Sequence, residues 1–126
     1  MIDTALDLSG SRIMLVEDDT IIALDLEATL HESGCAIIGP LASVAEALAA
    51  LAANTLDGAV LDVNLGHESG YPIADALADR GVPFVFVTGY GRDILPERHS
   101  ARAIVTKPFL PEQLLYALMH ALRQPS

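Results

Sequence analysis

The chain predicts an α/β domain built around a parallel sheet, and three observations point there. Short apolar runs recur without polar alternation, the pattern of strands covered on both faces. Segments with helical spacing of apolar residues lie between those runs, so strand and helix alternate along nearly the whole chain. At 126 residues there is enough chain for one sizeable core and too little for two.

The elements follow in order. Residues 1–11 carry neither a basic start nor a long apolar stretch, so they are not expected to be a secretory signal. They are expected to form a loosely docked extension, with the domain proper at 12–124. The first strand is residues 12–16. A helix over 20–33 places Ile22, Leu26 and Leu30 on one stripe and stops at Gly34. Residues 35–38 make a weaker second strand. A helix over 43–54 opens with the capping-box pair Ser43 and Glu46. The third strand is 59–61, and a helix over 71–79 follows, ended by Gly81. The fourth strand is 83–87. Residues 90–102 form the weakest segment, flanked by Gly89 and Gly91 and interrupted by Pro96, so only a short or mobile helix is expected there. The fifth strand is 103–105. A last helix over 111–123 starts with a proline and carries Leu114, Leu115, Leu118 and Leu122.

Composition narrows function. The net charge is −10, with 17 acidic against 7 basic residues, and no basic stripe exists to displace counterions from a nucleic acid. No apolar run reaches the roughly 18 residues of a membrane helix. The single Cys35 cannot form an internal disulfide, and a small packed thiol in a reducing cytosol is expected. His31, His67, His99 and His120 show no metal-ligand spacing.

The chemistry concentrates at strand ends. The first strand runs into Glu17, Asp18 and Asp19, and the third into Asp62. In an open parallel sheet ligands bind beyond the carboxyl ends of the strands, where strand order reverses. Carboxylates meeting there repel one another unless a cation sits among them, and Mg²⁺ suits an all-oxygen site. The plainer alternative is that Asp18 or Asp19 only caps the following helix. Two further strand ends weigh against that alternative alone. The fourth strand leads to Thr88, and the fifth to Lys107 and Pro108. A carboxylate nucleophile, a metal site, a hydroxyl and an ammonium are what forming an acyl phosphate on Asp62 requires. Glu17, Asp18 and a phosphorylated Asp62 sum to about −4, which Mg²⁺ and Lys107 return to about −1.

Taken together, Glu17-Asp18, the stretch from Asp62 through Asn64 to Gly70, Thr88 within FVFVTGYG, and Lys107-Pro108-Phe109 resemble a response-regulator receiver domain over residues 12–123. The resemblance implies a flavodoxin-like, doubly wound five-stranded sheet of order 2-1-3-4-5, the order that receivers themselves exemplify. It implies Asp62 as phosphoacceptor, with Mg²⁺ held by Asp18, Asp62, the Asn64 backbone carbonyl and Glu17. It also implies a cis bond at Lys107-Pro108. The expected partners are a histidine kinase or histidine phosphotransfer protein as donor and a downstream protein as target, with no direct nucleic acid and no membrane. The only catalysis expected is of its own phosphoryl transfer and autodephosphorylation. No effector region is expected after residue 123, so a single-domain, cytoplasmic signalling protein is the expectation.

Three departures from the family stand out. Ile104 occupies the place of the usual aromatic switch. Gly66 replaces the usual proline after the phosphoacceptor, which should loosen that loop. The interval from Thr88 to Lys107 is short. The last feature and the Phe86-Val-Thr88-Gly89-Tyr90 stretch resemble a receiver subclass with a poorly formed fourth helix. Tyr90 is a candidate to replace the missing aromatic, the alternative being a plain packing role. Two other functions stay open: a small phosphohydrolase working through an aspartyl phosphate, disfavoured by Asn64 where a second acid is needed, and a phosphorylation-independent adaptor.

Overall fold

The structure, a computed structural model, describes residues 8–89 and 95–123. The main-sheet strands are β1 (Arg12–Val16), β2 (Ala36–Leu41), β3 (Gly58–Asp62), β6 (Phe84–Thr88) and β7 (Ala103–Thr106). All pair in parallel, in the order β2-β1-β3-β6-β7. Counting only strands of this sheet, that is the expected 2-1-3-4-5. Between β3 and β6 lies a small antiparallel hairpin, β4 (Asn64–Leu65) and β5 (Glu68–Ser69), which the sequence pattern did not predict. The helices are α1 (Thr20–Glu32), α2 (Val44–Ala53), α3 (Tyr71–Asp79) and α4 (Pro111–Arg123).

Strand alternation sorts the core into two layers. Met14, Val16, Ala59, Leu61, Phe84 and Phe86 face α2 and α3. Ile13, Leu15, Val60, Val85, Val87 and Val105 face α1 and α4. Both faces being covered, the strands read as continuous apolar runs.

Local chemistry sets the helix ends. The Asp19 carboxylate accepts from the backbone N–H groups of Ile21 and Ile22 and so caps α1. At its other end Gly34 N–H donates to His31 and Cys35 N–H to Leu30, a Schellman closure. Ser43 caps α2 as expected, but Glu46 reaches past the capping residue to the N–H of Ala42, at 2.8 Å. Strand β2 runs three residues further than predicted, through Gly39 and Pro40, and its register with β1 shifts between Met14 and Val16. At the start of the described chain, Leu8 is buried beneath α1 and its N–H donates to Ser33. That part of the expected extension is firmly docked. Cys35 is buried just ahead of β2, as expected.

Candidate functional site

The site lies at the carboxyl ends of β1, β3, β6 and β7. Continuing the alternation of each strand places Glu17, Asp62 and Lys107 in step with Leu15, Val60 and Val105, on the α1 and α4 side. The hydrogen bonds agree. Lys107 Nζ lies 2.8 Å from Glu17 Oε1 and 3.1 Å from Asp62 Oδ2, one ammonium clamping carboxylates from two strand ends. Glu17 and Asp62 are buried, whereas Asp18 stands exposed at the mouth. Backbone donors orient the acids: Asp19 N–H reaches Glu17 Oε2 at 3.2 Å, and Asn64 N–H reaches Asp62 Oδ1 at 3.0 Å.

Electrostatics follow from that burial. Loss of water pushes the Glu17 carboxyl up from 4.5 to about 7, and its hydrogen bond with Asp62 adds to the rise while Lys107 opposes it. For Lys107, burial pulls the pKa down, but the bonds to Glu17 and Asp62 outweigh it and leave the ammonium more firmly charged. One ammonium thus faces two buried carboxyl groups, and Glu17 eases their repulsion by holding its proton more tightly.

Whether a cation fits is answered by the donor set. Glu17, Asp18 and Asp62 each offer an oxygen, and those oxygens lie within 4.8 Å of one another. An all-carboxylate cluster with one exposed member suits a hard divalent ion that keeps part of its water, as Mg²⁺ does. The capping alternative is divided between neighbours: Asp19 caps α1, and Asp18 belongs to the cluster.

Two glycines shape the surrounding loops. Gly66, expected to loosen the loop after Asp62, sits at φ +67 in the turn of the β4–β5 hairpin, a conformation glycine adopts freely. The hairpin is anchored by Glu68, which accepts from the first N–H of α2 at 3.2 Å. A side chain at Gly70 would collide with the carbonyl oxygen of Asp62, so only glycine lets α3 start against the end of β3.

Thr88 is buried at the end of β6, next after Val87, the register partner of Asp62. Its backbone carbonyl accepts from Lys107 N–H at 2.8 Å, which ties the hydroxyl-bearing residue to the ammonium-bearing one. The Lys107-Pro108 bond is cis, as expected. Ile104 pairs with Phe86 and packs into the α2–α3 layer. Tyr90 lies outside the described residues, as does most of the first half of the segment expected to form a short helix. From Pro96 onward that segment holds a single 3₁₀ turn, Glu97–His99.

Sequence reasoning missed two features near the site. One is a groove of about 690 Å³ between α1 and the residues after β7, lined by Ile22, Asp25, Thr29, Pro108 and Phe109. Ile21 and Leu24, which fall off the Ile22, Leu26 and Leu30 stripe of α1, could have signalled an apolar face left open on that helix, and both are exposed. The other is His99, dismissed for want of metal-ligand spacing, which is 1% exposed.

Comparison with known proteins agrees with the geometry. Residues 13–119 match the family described as the response regulator receiver domain. The phyllosphere-induced regulator PhyR of Methylorubrum extorquens is 30% identical over 117 residues, covering 90% of this chain and 44% of that protein. The chain thus spans about half the length of the curated relatives it matches. Among solved structures, SdrG from Sphingomonas melonis Fr1 is 40% identical with a TM-score of 0.78, covering 89% of this chain and 95% of that one. The receiver domain of the sensor histidine kinase PA1611 from Pseudomonas aeruginosa PAO1 is 22% identical with a TM-score of 0.77, covering 92% of this chain and 100% of that one. It shares the fold, and was solved with a magnesium ion in its active-site cleft.

Proposed function

We infer function from the premise that this chain belongs to the response regulator receiver domain family: it takes a phosphoryl group from a phosphohistidine onto Asp62 and signals by changing its protein contacts. The observation that carries this is the Lys107 ammonium bridging Glu17 and Asp62 across two strand ends. In the transfer, an Asp62 carboxylate oxygen bonds to phosphorus as the P–N bond of the donor imidazole breaks. The released imidazole nitrogen keeps the electron pair and is protonated from solvent. Lys107 then shifts from Asp62 toward a phosphoryl oxygen, and the Thr88 hydroxyl donates to another.

Glu17, Asp18, Asp62 and the Asn64 carbonyl would hold Mg²⁺, which supplies neutralisation of the equatorial phosphoryl charge. Glu17 must give up its proton for that ion to bind, since only the carboxylate is a ligand. The donor is a histidine kinase or histidine phosphotransfer protein whose apolar helix lies along the α1 groove beside Lys107. Exposed Ile21 and Leu24 on α1 offer it side chains, at 75% and 59% exposure. A protein surface that recognises the phosphorylated form reads the signal.

The test is incubation with acetyl phosphate and Mg²⁺ followed by intact-mass measurement. A single phosphoryl adduct is expected on the wild type and none on Asp62→Asn. An unmodified wild type, or an adduct surviving in Asp62→Asn, would overturn the assignment.

A further inference from the structure

Over residues 95–102 the described chain fastens itself to α3 and β6 with polar and aromatic contacts. Arg98 bonds Asp79 at 2.6 Å and Asp75 at 3.4 Å, both on α3. His99 Nε2 sits 2.8 Å from the same Asp75. The Arg102 guanidinium lies 4.5 Å over the ring of Phe84. Edge-on contacts bring the His99 ring to 5.8 Å from Phe84 and 5.9 Å from Phe86.

His99 is an expensive residue for that place. Its Nδ1 is the one buried side-chain polar atom without a hydrogen-bond partner among the described residues. A buried nitrogen left unpaired costs free energy that a phenylalanine or leucine there would not incur. An unpaired ring nitrogen gains a hydrogen bond if its surroundings shift.

Those surroundings lead back to the site. Phe86 stands two residues before Thr88, so alternation puts both on the same face of β6. Phe86 pairs across the sheet with Ile104, the position that lacks the usual aromatic. Its ring also meets Tyr71, at the start of α3, at 6.3 Å. One aromatic cluster thus joins the hydroxyl-bearing strand end, the first residue of α3 and the His99–Asp75 bond.

We propose that His99 is the positioning residue that carries phosphorylation of Asp62 to the surface formed by α3 and residues 95–102. This rests on the phosphoacceptor function assigned above. When Thr88 moves to bond the phosphoryl group, Phe86 moves with it and the edge contact to His99 is lost. His99 then turns so that Nδ1 reaches water, and Asp75 keeps only its longer contact of 3.4 Å with Arg98. A partner meets a carboxylate on α3 that the resting form also holds through His99.

Imidazole nitrogen NMR of ¹⁵N-labelled protein tests this, in Mg²⁺ alone and in Mg²⁺ with beryllofluoride. The two ring nitrogens of His99 report its tautomer and its bond to Asp75, which simple packing would leave unchanged. With beryllofluoride, the backbone amides flanking Asp62 should shift and the His99 ring pattern should change with them. In His99→Phe the amides near Asp62 should respond as in wild type, while those of Asp75 and Arg98 lose at least two-thirds of their response. If the Asp62 amides move and the His99 pattern stays fixed, the inference is wrong. Full transmission to Asp75 in His99→Phe refutes it as well. Silent amides around Asp62 would instead defeat the phosphoacceptor assignment, and this inference with it.

Discussion

Lys107 holds together two acids that would otherwise repel. Replacing it by methionine leaves Glu17 and Asp62 facing each other without a cation, both buried. Lys107→Met is expected to slow phosphorylation by acetyl phosphate about tenfold or more and to destabilise the fold by roughly 1–3 kcal/mol. Rates from intact mass and urea unfolding midpoints would check the two effects. Glu17 makes a pH prediction for the protein freed of divalent cations. Its pKa rises from 4.5 to about 7 in the fold, so the folded state binds that proton more tightly than the unfolded chain. The associated stability is complete below the unfolded value of 4.5 and is lost as pH climbs through about 7. Urea unfolding in EDTA between about pH 5 and pH 8 should show a loss on the order of 2–3 kcal/mol in wild type that Glu17→Gln lacks. The neighbouring aspartates separate cleanly. Asp19→Ala should cost about 1 kcal/mol of stability, through the lost cap, with phosphorylation intact. Asp18→Asn should leave stability within about 0.5 kcal/mol and raise the Mg²⁺ concentration needed for phosphorylation severalfold.

Elements were legible where period and punctuation agreed. Helices 71–79 and 111–123 were predicted at their observed bounds, because Gly81 and Pro111 mark them and their apolar spacing is regular. The strand at 35–38 was placed too early and too short, since Gly39 and Pro40 read as a stop but are carried at an edge of the sheet. The β4–β5 hairpin was invisible because two-residue strands have no period to detect. Glu17, Asp18, Asp62, Thr88 and Lys107 could be found because each stands within two residues of the end of an apolar run. His99 could not, for its burial comes from tertiary contacts with Phe84 and Phe86 that no local pattern encodes. At this scale the close approach of α3 to β3 is the vulnerable joint. Gly70→Ala should lower stability by about 1–3 kcal/mol, measured by urea unfolding, because the added methyl must displace the Asp62 carbonyl or the start of α3.

For the molecule as a whole, the proposed docking face on α1 adjoins the acidic site, and the two can be separated by substitution. Ile21 and Leu24 are exposed on α1, so their loss removes little packing within the domain. The double substitution Ile21→Glu, Leu24→Glu should therefore leave acetyl phosphate labelling and the unfolding midpoint near wild type. Transfer from a phosphorylated histidine phosphotransfer domain should fall about tenfold or more, the effect of removing apolar anchors from a small interface. Equal transfer by the variant would place the donor elsewhere. No described helix is long and apolar enough to cross a membrane, and the net charge of −10 favours partners with basic rims.

The margin of the sheet at β2 carries a consequence for assembly. An open strand edge invites another chain to zip onto it, and natural proteins blunt such edges with prolines and irregular pairing. Pro40 offers no amide hydrogen there, and the slipped register opposite Met14 and Val16 bends the ladder out of line. A visiting strand would find its hydrogen bonds broken within a few residues. At this margin, strand addition is accordingly disfavoured, and partners are to be sought on the domain's other faces.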